Sequence, residues 1–433
     1  MTHVFYRSPS RSYPMVSHAS GVYLWDTEGK RYLDGSSGAL VVNVGHGRTE
    51  VVQAMAQQAQ RVAFAHTMRF TSQAQERLGA LLAERLEPER YYTYLVSGGS
   101  EATETAIKLA RQYHLERGDE RRTKIMSRWA SYHGNTLGAL AASGHLARRR
   151  PYSPLFAHQT FVHFDVPVAQ AHAGPCSCLD SVQARIQQED PRSIAALIIE
   201  VVGGSALSGF VPHAGYLKGL EDICRQHGIL LIVDEVMTGM GRTGSWWAHT
   251  TEGLRPDLMT LAKGLSSGYS PLGAVVAHET VWRTVAEGTG SFAHGFTYGG
   301  NPVSAAAANA VIEIMEQEHL VANAKAQGER LHQGLLALAA QSPLISQVRG
   351  RGLMQGVVLQ SLPGEPGTVA TRLGQDAFSH GLIVYPGSGS PDRLDGDHLL
   401  IGPPLSIRPH EVDELLEGFA ASVQRVAQTL GMS

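Results

Sequence analysis

The sequence predicts an α/β protein built on a mostly parallel sheet with helices on both faces. Three observations carry that expectation. Short, nearly continuous apolar runs recur through the middle of the chain. Amphipathic stretches of helical period separate them. The 433 residues suffice for two or three domains of ordinary size, so a large core is available to bury such a sheet. Strands covered on both faces read as unbroken apolar runs, whereas half-exposed strands alternate.

In chain order, GVYLWDTEGKRYLDGSSG (21–38) reads as a hairpin whose turn is set by Thr27, Glu28 and Gly29. The strand runs are TYLVS (93–97), KIMSR (124–128), TFVHF (160–164), AALIIEVV (195–202), ILLIVDEV (229–236), DLMTLA (257–262) and GAVVAH (273–278). Helices such as EATETAIKLARQYHLERG and YLKGLEDICRQHG lie between them. Beyond Gly300 the pattern changes to the Ala-rich helix NPVSAAAANAVIEIMEQ and then a mixed α+β segment. The expected division is a large domain over 61–315 and a smaller one made of 1–60 with 316–433.

Composition narrows the function. Apolar content of 43% and charged content of 17% describe a soluble globular chain. A net charge of −3 gives no reason to expect nucleic acid or an anionic membrane as partner. No apolar run approaches the ~20 residues that span a bilayer, and the N-terminus lacks a secretory stretch, so a cytoplasmic location is expected. His172, Cys176 and Cys178 lie close together, but a fourth ligand at zinc spacing is not evident. That stretch is read as an incidental surface loop, and no metal is expected.

The chain carries six lysines against thirty arginines, yet Lys263 ends the apolar run DLMTLA. Asp234 ends ILLIV, and Ser97–Ser100 follow TYLV and open a helix. In such a sheet, ligands bind beyond the carboxyl ends of the strands. SGGSEATE offers two glycines and Ser100 at a helix N-terminus, where free N–H groups attract phosphate; an ordinary N-cap turn fits the same residues. Lys263 fits a buried ion pair with Asp234, or an amine kept neutral to attack a carbonyl. The three together are what pyridoxal 5′-phosphate requires: an aldehyde to condense with lysine, a phosphate to hold, and a pyridine nitrogen to pair with a carboxylate. Tyr132, after KIMSR, is available to cover the ring or simply to pack.

One motif misleads. GMGRTG (239–244) matches a dinucleotide fingerprint in letters, but that turn passes directly from strand to helix. Here Glu235–Gly239 intervene after Asp234, and SWWAHTTEG starts no helix.

Taken in order, these motifs resemble the class III, or omega, aminotransferases of the fold type I pyridoxal-phosphate enzymes, over almost the whole chain. The hairpin, SGGSEATETAIKLAR, YHGNTLGAL, LLIVDEVMTGMGRTG, PDLMTLAKGLSSGYSPLGAVV, HGFTYGGNPVSAAAA and GDHLLIGPPLSI each match a segment of that family. The resemblance implies a seven-stranded mostly parallel sheet plus a smaller α+β domain from both termini. It makes Lys263 the lysine that condenses with the cofactor and Asp234 the partner of the pyridine nitrogen. Val236 and Tyr132 would sandwich the ring, Gly99 and Ser100 would hold the phosphate, and Glu200 would border the cofactor. Thr297 would reach the phosphate of the other subunit of a homodimer with shared active sites. Arg393 and Leu40 are expected at the substrate, Arg393 as a mobile carboxylate reader in the loop GSGSPDRLDGD. Gly98 and the run Val201–Ser205 depart from the family pattern. The implied reaction moves an amino group from an amine or omega-amino acid to an oxo acid such as pyruvate, by ping-pong kinetics. An aminomutase, a racemase, a decarboxylase or an idle binding protein are the alternatives.

Overall fold

The structure, a computed structural model, describes residues 3–165, 177–362, 365, 367–390 and 393–432. Fifteen strands are present among them. They are β1 (Val16–Ser20), β2 (Tyr23–Asp26), β3 (Arg31–Asp34), β4 (Tyr91–Val96), β5 (Lys124–Arg128), β6 (Phe161–Phe164), β7 (Ile194–Glu200), β8 (Leu230–Asp234), β9 (Leu258–Leu261), β10 (Gly273–His278), β11 (Ile345–Arg351), β12 (Met354–Leu359), β13 (Leu382–Ile383), β14 (Tyr385–Ser390) and β15 (Arg393–Ile401).

Seven of them form the central sheet in the order β4-β10-β9-β8-β7-β5-β6. All its pairings are parallel except those of β10, which runs against both β4 and β9. Every residue of β7, β8 and β9 is buried, which is why these strands read as unbroken apolar runs. KIMSR and GAVVAH are strands over the expected residues. The β7 and β8 runs stop two residues early, at Glu200 and Asp234. The chain turns away there because each carboxylate accepts a hydrogen bond from the backbone just beyond it: Glu200 Oε1 from Gly204 N at 2.9 Å, Asp234 Oδ1 from Val236 N at 3.0 Å. The helix Gly99–Glu116 lays Ala102, Ala106, Leu109 and Ala110 on the sheet; Ala at those positions lets helix and sheet approach closely.

The N-terminal hairpin forms as expected. Asp26 Oδ1 accepts from Glu28 N at 3.0 Å and Lys30 N at 2.9 Å, and Gly29 takes a φ of +83°. β3 then pairs in parallel with β13, Leu33 opposite Leu382, joining the two ends of the chain in one four-stranded sheet. A second four-stranded sheet, β11-β12-β15-β14, is antiparallel. One continuous apolar cluster includes Val22 and Leu33 near the N-terminus and Leu415 and Phe419 near the C-terminus.

Two expectations need correcting here. GSGSPDRLDGD is not a free loop: Tyr385 pairs with Leu400 and Ser390 with Arg393 in the β14–β15 hairpin. The surface-loop reading fails at Cys178, which is buried in the first turn of the helix Ser177–Gln188, its Sγ 3.4 Å from His213 Nε2. His172 and Cys176 lie outside the described residues. No helix among the described residues is long and apolar enough to cross a membrane.

Candidate active site

A cavity of about 430 Å³ opens at the carboxyl ends of the central strands, lined by Ser97–Ser100 after β4, Tyr132–Gly134 after β5, Glu200 of β7, Asp234 of β8 and Lys263 after β9. This is where a parallel sheet delivers loops from neighbouring strands to one place.

Lys263 takes a left-handed φ of +46° as the chain leaves β9. Gly264 is needed beside it, since a Cβ there would collide with the Asn43 side-chain amide. Burial pushes the Lys263 amine down to about 8, opposed by the carboxylates of Asp234 and Glu200 and reinforced by the charges of Arg242 and Arg148. The ion pair with Asp234 is not formed. Asp234 Oδ2 pairs with His133 Nδ1 at 2.8 Å and Oδ1 accepts from Val236 N at 3.0 Å, so both oxygens are held by other groups at the cavity. His133 was not singled out from the sequence; its signal was adjacency to Tyr132 in YHGNT. Its Nε2 is buried with no partner among the described residues.

The helix beginning at Gly99 starts on the cavity wall, where its first N–H groups have no partner within the helix. A Cβ on Gly99 would come within 3.1 Å of Val236 Cγ1, so the residue closes the gap between helix and Val236 without filling the site. Ser100 Oγ accepts from Asn135 N at 2.9 Å, which ties the helix start to the segment carrying Tyr132. The N-cap reading is not realised, because Gly98 holds that position and Glu101 bonds back to Ser97 N at 2.7 Å.

Burial raises the Glu200 carboxyl above its ordinary range, with His133 and Arg128 opposing. Gly204 explains the glycines of the departing run: a Cβ there would strike Met237 Sδ at 2.6 Å and Glu200 Oε1 at 3.0 Å. Tyr132 and Val236 both line the cavity. GMGRTG forms no dinucleotide turn. Its Arg242 is fully buried and bonds to Leu353 O, Pro403 O and Asn43 Oδ1, tying three chain segments together.

Two expected residues lie elsewhere. Leu40 is only 1% exposed and packs by Gly402; its neighbour Val41 takes the place on the cavity wall. Leu40 is therefore a core residue. Thr297 is exposed and does not line this cavity. Arg393 opens β15, and its side chain lies outside what is described.

The donor set fits a phosphorylated pyridine aldehyde. It offers N–H groups for an anion, an unpaired lysine for a carbonyl, and a buried carboxylate for a ring nitrogen. Residues 6–423 match the family described as Aminotransferase class-III. The chain is a class III aminotransferase. Its cofactor is pyridoxal 5′-phosphate, which when bound serves as the electron sink and carrier of the amino group. Among curated relatives of this aminotransferase, a taurine--pyruvate aminotransferase of Bilophila wadsworthia is 34% identical over 95% of this chain and 92% of its own. A putrescine--pyruvate aminotransferase of Pseudomonas aeruginosa is 32% identical over 93% and 88%. The solved thermostable (S)-enantioselective omega-transaminase of Thermomicrobium roseum superposes with a TM-score of 0.90 at 36% identity, over 98% of this chain and 96% of its own.

Proposed function

We propose that this aminotransferase takes an amino group from a primary amine or omega-amino acid and delivers it to a small 2-oxo acid, pyruvate foremost. The single observation that carries the catalytic part is Lys263: an amine free of any ion pair among the described residues, pushed down to about 8, at the cavity edge. The two named relatives differ in donor and share pyruvate as acceptor, which supports the acceptor.

In this reading Lys263 would hold the carbonyl end of the cofactor, and its amine would serve as base and then acid for the proton on the amine-bearing carbon of the substrate. Asp234, oriented by His133 and Val236 N, holds the proton on the pyridine nitrogen. Tyr132 and Val236 enclose the ring, the N–H groups from Gly99 onward with Ser100 bind the phosphate, and Glu200 borders the ring. Thr297 serves a second copy across a homodimer interface. Support for the interface is the exposed apolar set around it, Tyr298 at 68%, Phe64 at 44%, Met68 at 80% and Phe70 at 66%. The domain division into 61–315 against 1–60 with 316–433 belongs to this reading, as does a cytoplasmic location, on composition alone.

The test is a half-reaction. Cofactor-loaded enzyme mixed with an amine and no oxo acid should release a carbonyl product and accumulate pyridoxamine phosphate, which pyruvate then discharges. Failure of any amine to build up pyridoxamine phosphate, or discharge by 2-oxoglutarate alone, would defeat the proposal.

A further inference from the structure

Arg148, Arg149 and Arg150 are consecutive, and the fold treats them differently. Arg149 is buried and donates to the carbonyls of Leu140, Ala141 and Ser143, a structural use of its charge. Arg150 is exposed. Arg148 is half-buried, its Cζ 4.5 Å from the ring centroid of Tyr132, a residue of the cavity wall. The one hydrogen bond of its guanidinium among the described residues is long, Nη2 to Tyr385 Oη at 3.4 Å. No carboxylate among those residues lies within 4.0 Å of it, and none of its nitrogens is sealed from solvent without a partner. Its positive charge reaches Lys263, where it helps hold the amine down. His145 beside it is pushed down to about 4 by burial and by Arg148, so Arg148 alone of the two carries positive charge at neutral pH.

A half-buried guanidinium normally finds a carboxylate, because burial without one costs hydration that nothing returns. Here the guanidinium lies over a tyrosine ring, the hydroxyl of Tyr385 accepts one N–H, and the other N–H groups have no protein partner among the described residues. That is a preorganised receptor for a planar anion.

We propose that Arg148 is a fixed receptor for the carboxylate of the oxo-acid acceptor. The proposal rests on the reading above that the acceptor is a small 2-oxo acid. It gives the acceptor a reader set behind Tyr132, just beyond the residues that line the cavity, separate from Arg393 on the β14–β15 hairpin. Stacking on Tyr132 fixes the guanidinium before substrate arrives, so little freedom is lost on binding.

The test uses full-length, cofactor-loaded Arg148→Gln and Arg148→Lys beside the parent and Arg393→Ala. Three reactions are followed separately: loading by a neutral amine, discharge by pyruvate, and discharge by propanal, an acceptor with no carboxylate. In Arg148→Gln the pyruvate concentration for half-maximal discharge should rise at least about tenfold, the scale of a lost charged hydrogen bond. Amine loading and propanal discharge should stay within about threefold, the cofactor spectrum should not change, and Arg148→Lys should recover part of the loss. Unchanged pyruvate discharge overturns the proposal. So does an equal loss with propanal and amine, which would mean that Arg148 acts only by supporting Tyr132. A selective loss in Arg393→Ala with none in Arg148→Gln overturns it as well. If the parent discharges with 2-oxoglutarate and not pyruvate, the acceptor reading fails, and the same comparison run with 2-oxoglutarate against propanal still decides Arg148.

Discussion

Asp234→Asn is the substitution whose consequence the structure sizes best. The carboxylate is 6% exposed, its Oδ2 bonded to His133 Nδ1 and its Oδ1 to Val236 N. An asparagine can keep the bond from Val236 N through its carbonyl, so the local turn should survive. What disappears is the negative charge proposed to face the ring nitrogen. Two unit charges at a contact of about 3 Å and an effective dielectric of about 20 interact by about 5 kcal/mol. Only the part that grows as negative charge moves into the ring enters the barrier, so the rate of amine loading should fall by at least ~100-fold, or ~3 kcal/mol. The carboxylate also raises the Lys263 amine, so its loss should lower that group further below about 8. The assay is stopped-flow absorbance of the amine half-reaction, with bound cofactor quantified after gel filtration. Near-parental loading rates in a variant that retains cofactor would refute the electron-sink argument.

Lys263→Ala should retain cofactor only non-covalently and lose turnover; peptide mass after borohydride should place the pyridoxyl group of the parent on Lys263 and on no other lysine. A pH effect on stability follows from the same residue. Its folded value of about 8 lies below the ordinary 10.5, so the native state binds fewer protons than the unfolded chain between those values. Stability of the cofactor-free protein should therefore drop as pH falls from 10.5 to about 8 and stay reduced below it. Lys263→Met should accordingly stabilise the cofactor-free protein at pH 7, by on the order of 2 kcal/mol after allowance for partial exposure, and do little above pH ~11. Equal Tm shifts at both pH values would contradict this. Thr297→Ala should weaken cofactor retention in the dimer, and a dilute, verified monomer that binds cofactor tightly would count against the shared site.

Much of the architecture was legible because burial on both faces forces a simple pattern. β7 and β8 are apolar up to their charged last residues, Glu200 and Asp234, which mark where each strand reaches the cavity. The same logic located Lys263, a charge where the sheet offers no hydration. Less visible were groups whose role depends on contacts across the fold. His133 lies 101 positions from Asp234 in sequence, and nothing in YHGNT announces that its ring meets a carboxylate. Leu40 and Val41 are adjacent apolar residues; only the left-handed φ of +56° at Leu40 decides which one faces the core and which the cavity. The glycine- and serine-rich stretch before Arg393 reads as a loop by composition, yet cross-strand pairing with β15 overrides local preference.

Arg148 shows why that distinction matters for specificity. In the sequence it is one of three like arginines, and its neighbour Arg149 satisfies backbone carbonyls, the ordinary fate of a buried cation. A position that leaves a guanidinium over Tyr132 and short of a carboxylate among the described residues is created by the meeting of three segments: the one carrying Tyr132, the turn before the 3-10 helix Arg150–Leu155, and β14 with Tyr385. The groups proposed as catalytic, Lys263 and Asp234, sit at strand ends, where a charge stands out against an apolar run. Substrate-reading groups sit where loops converge, and their charge looks ordinary until the missing counter-ion is seen. The acceptor's carboxylate would complete that set, which is why anionic and neutral acceptors should separate in the Arg148 variants while amine loading does not.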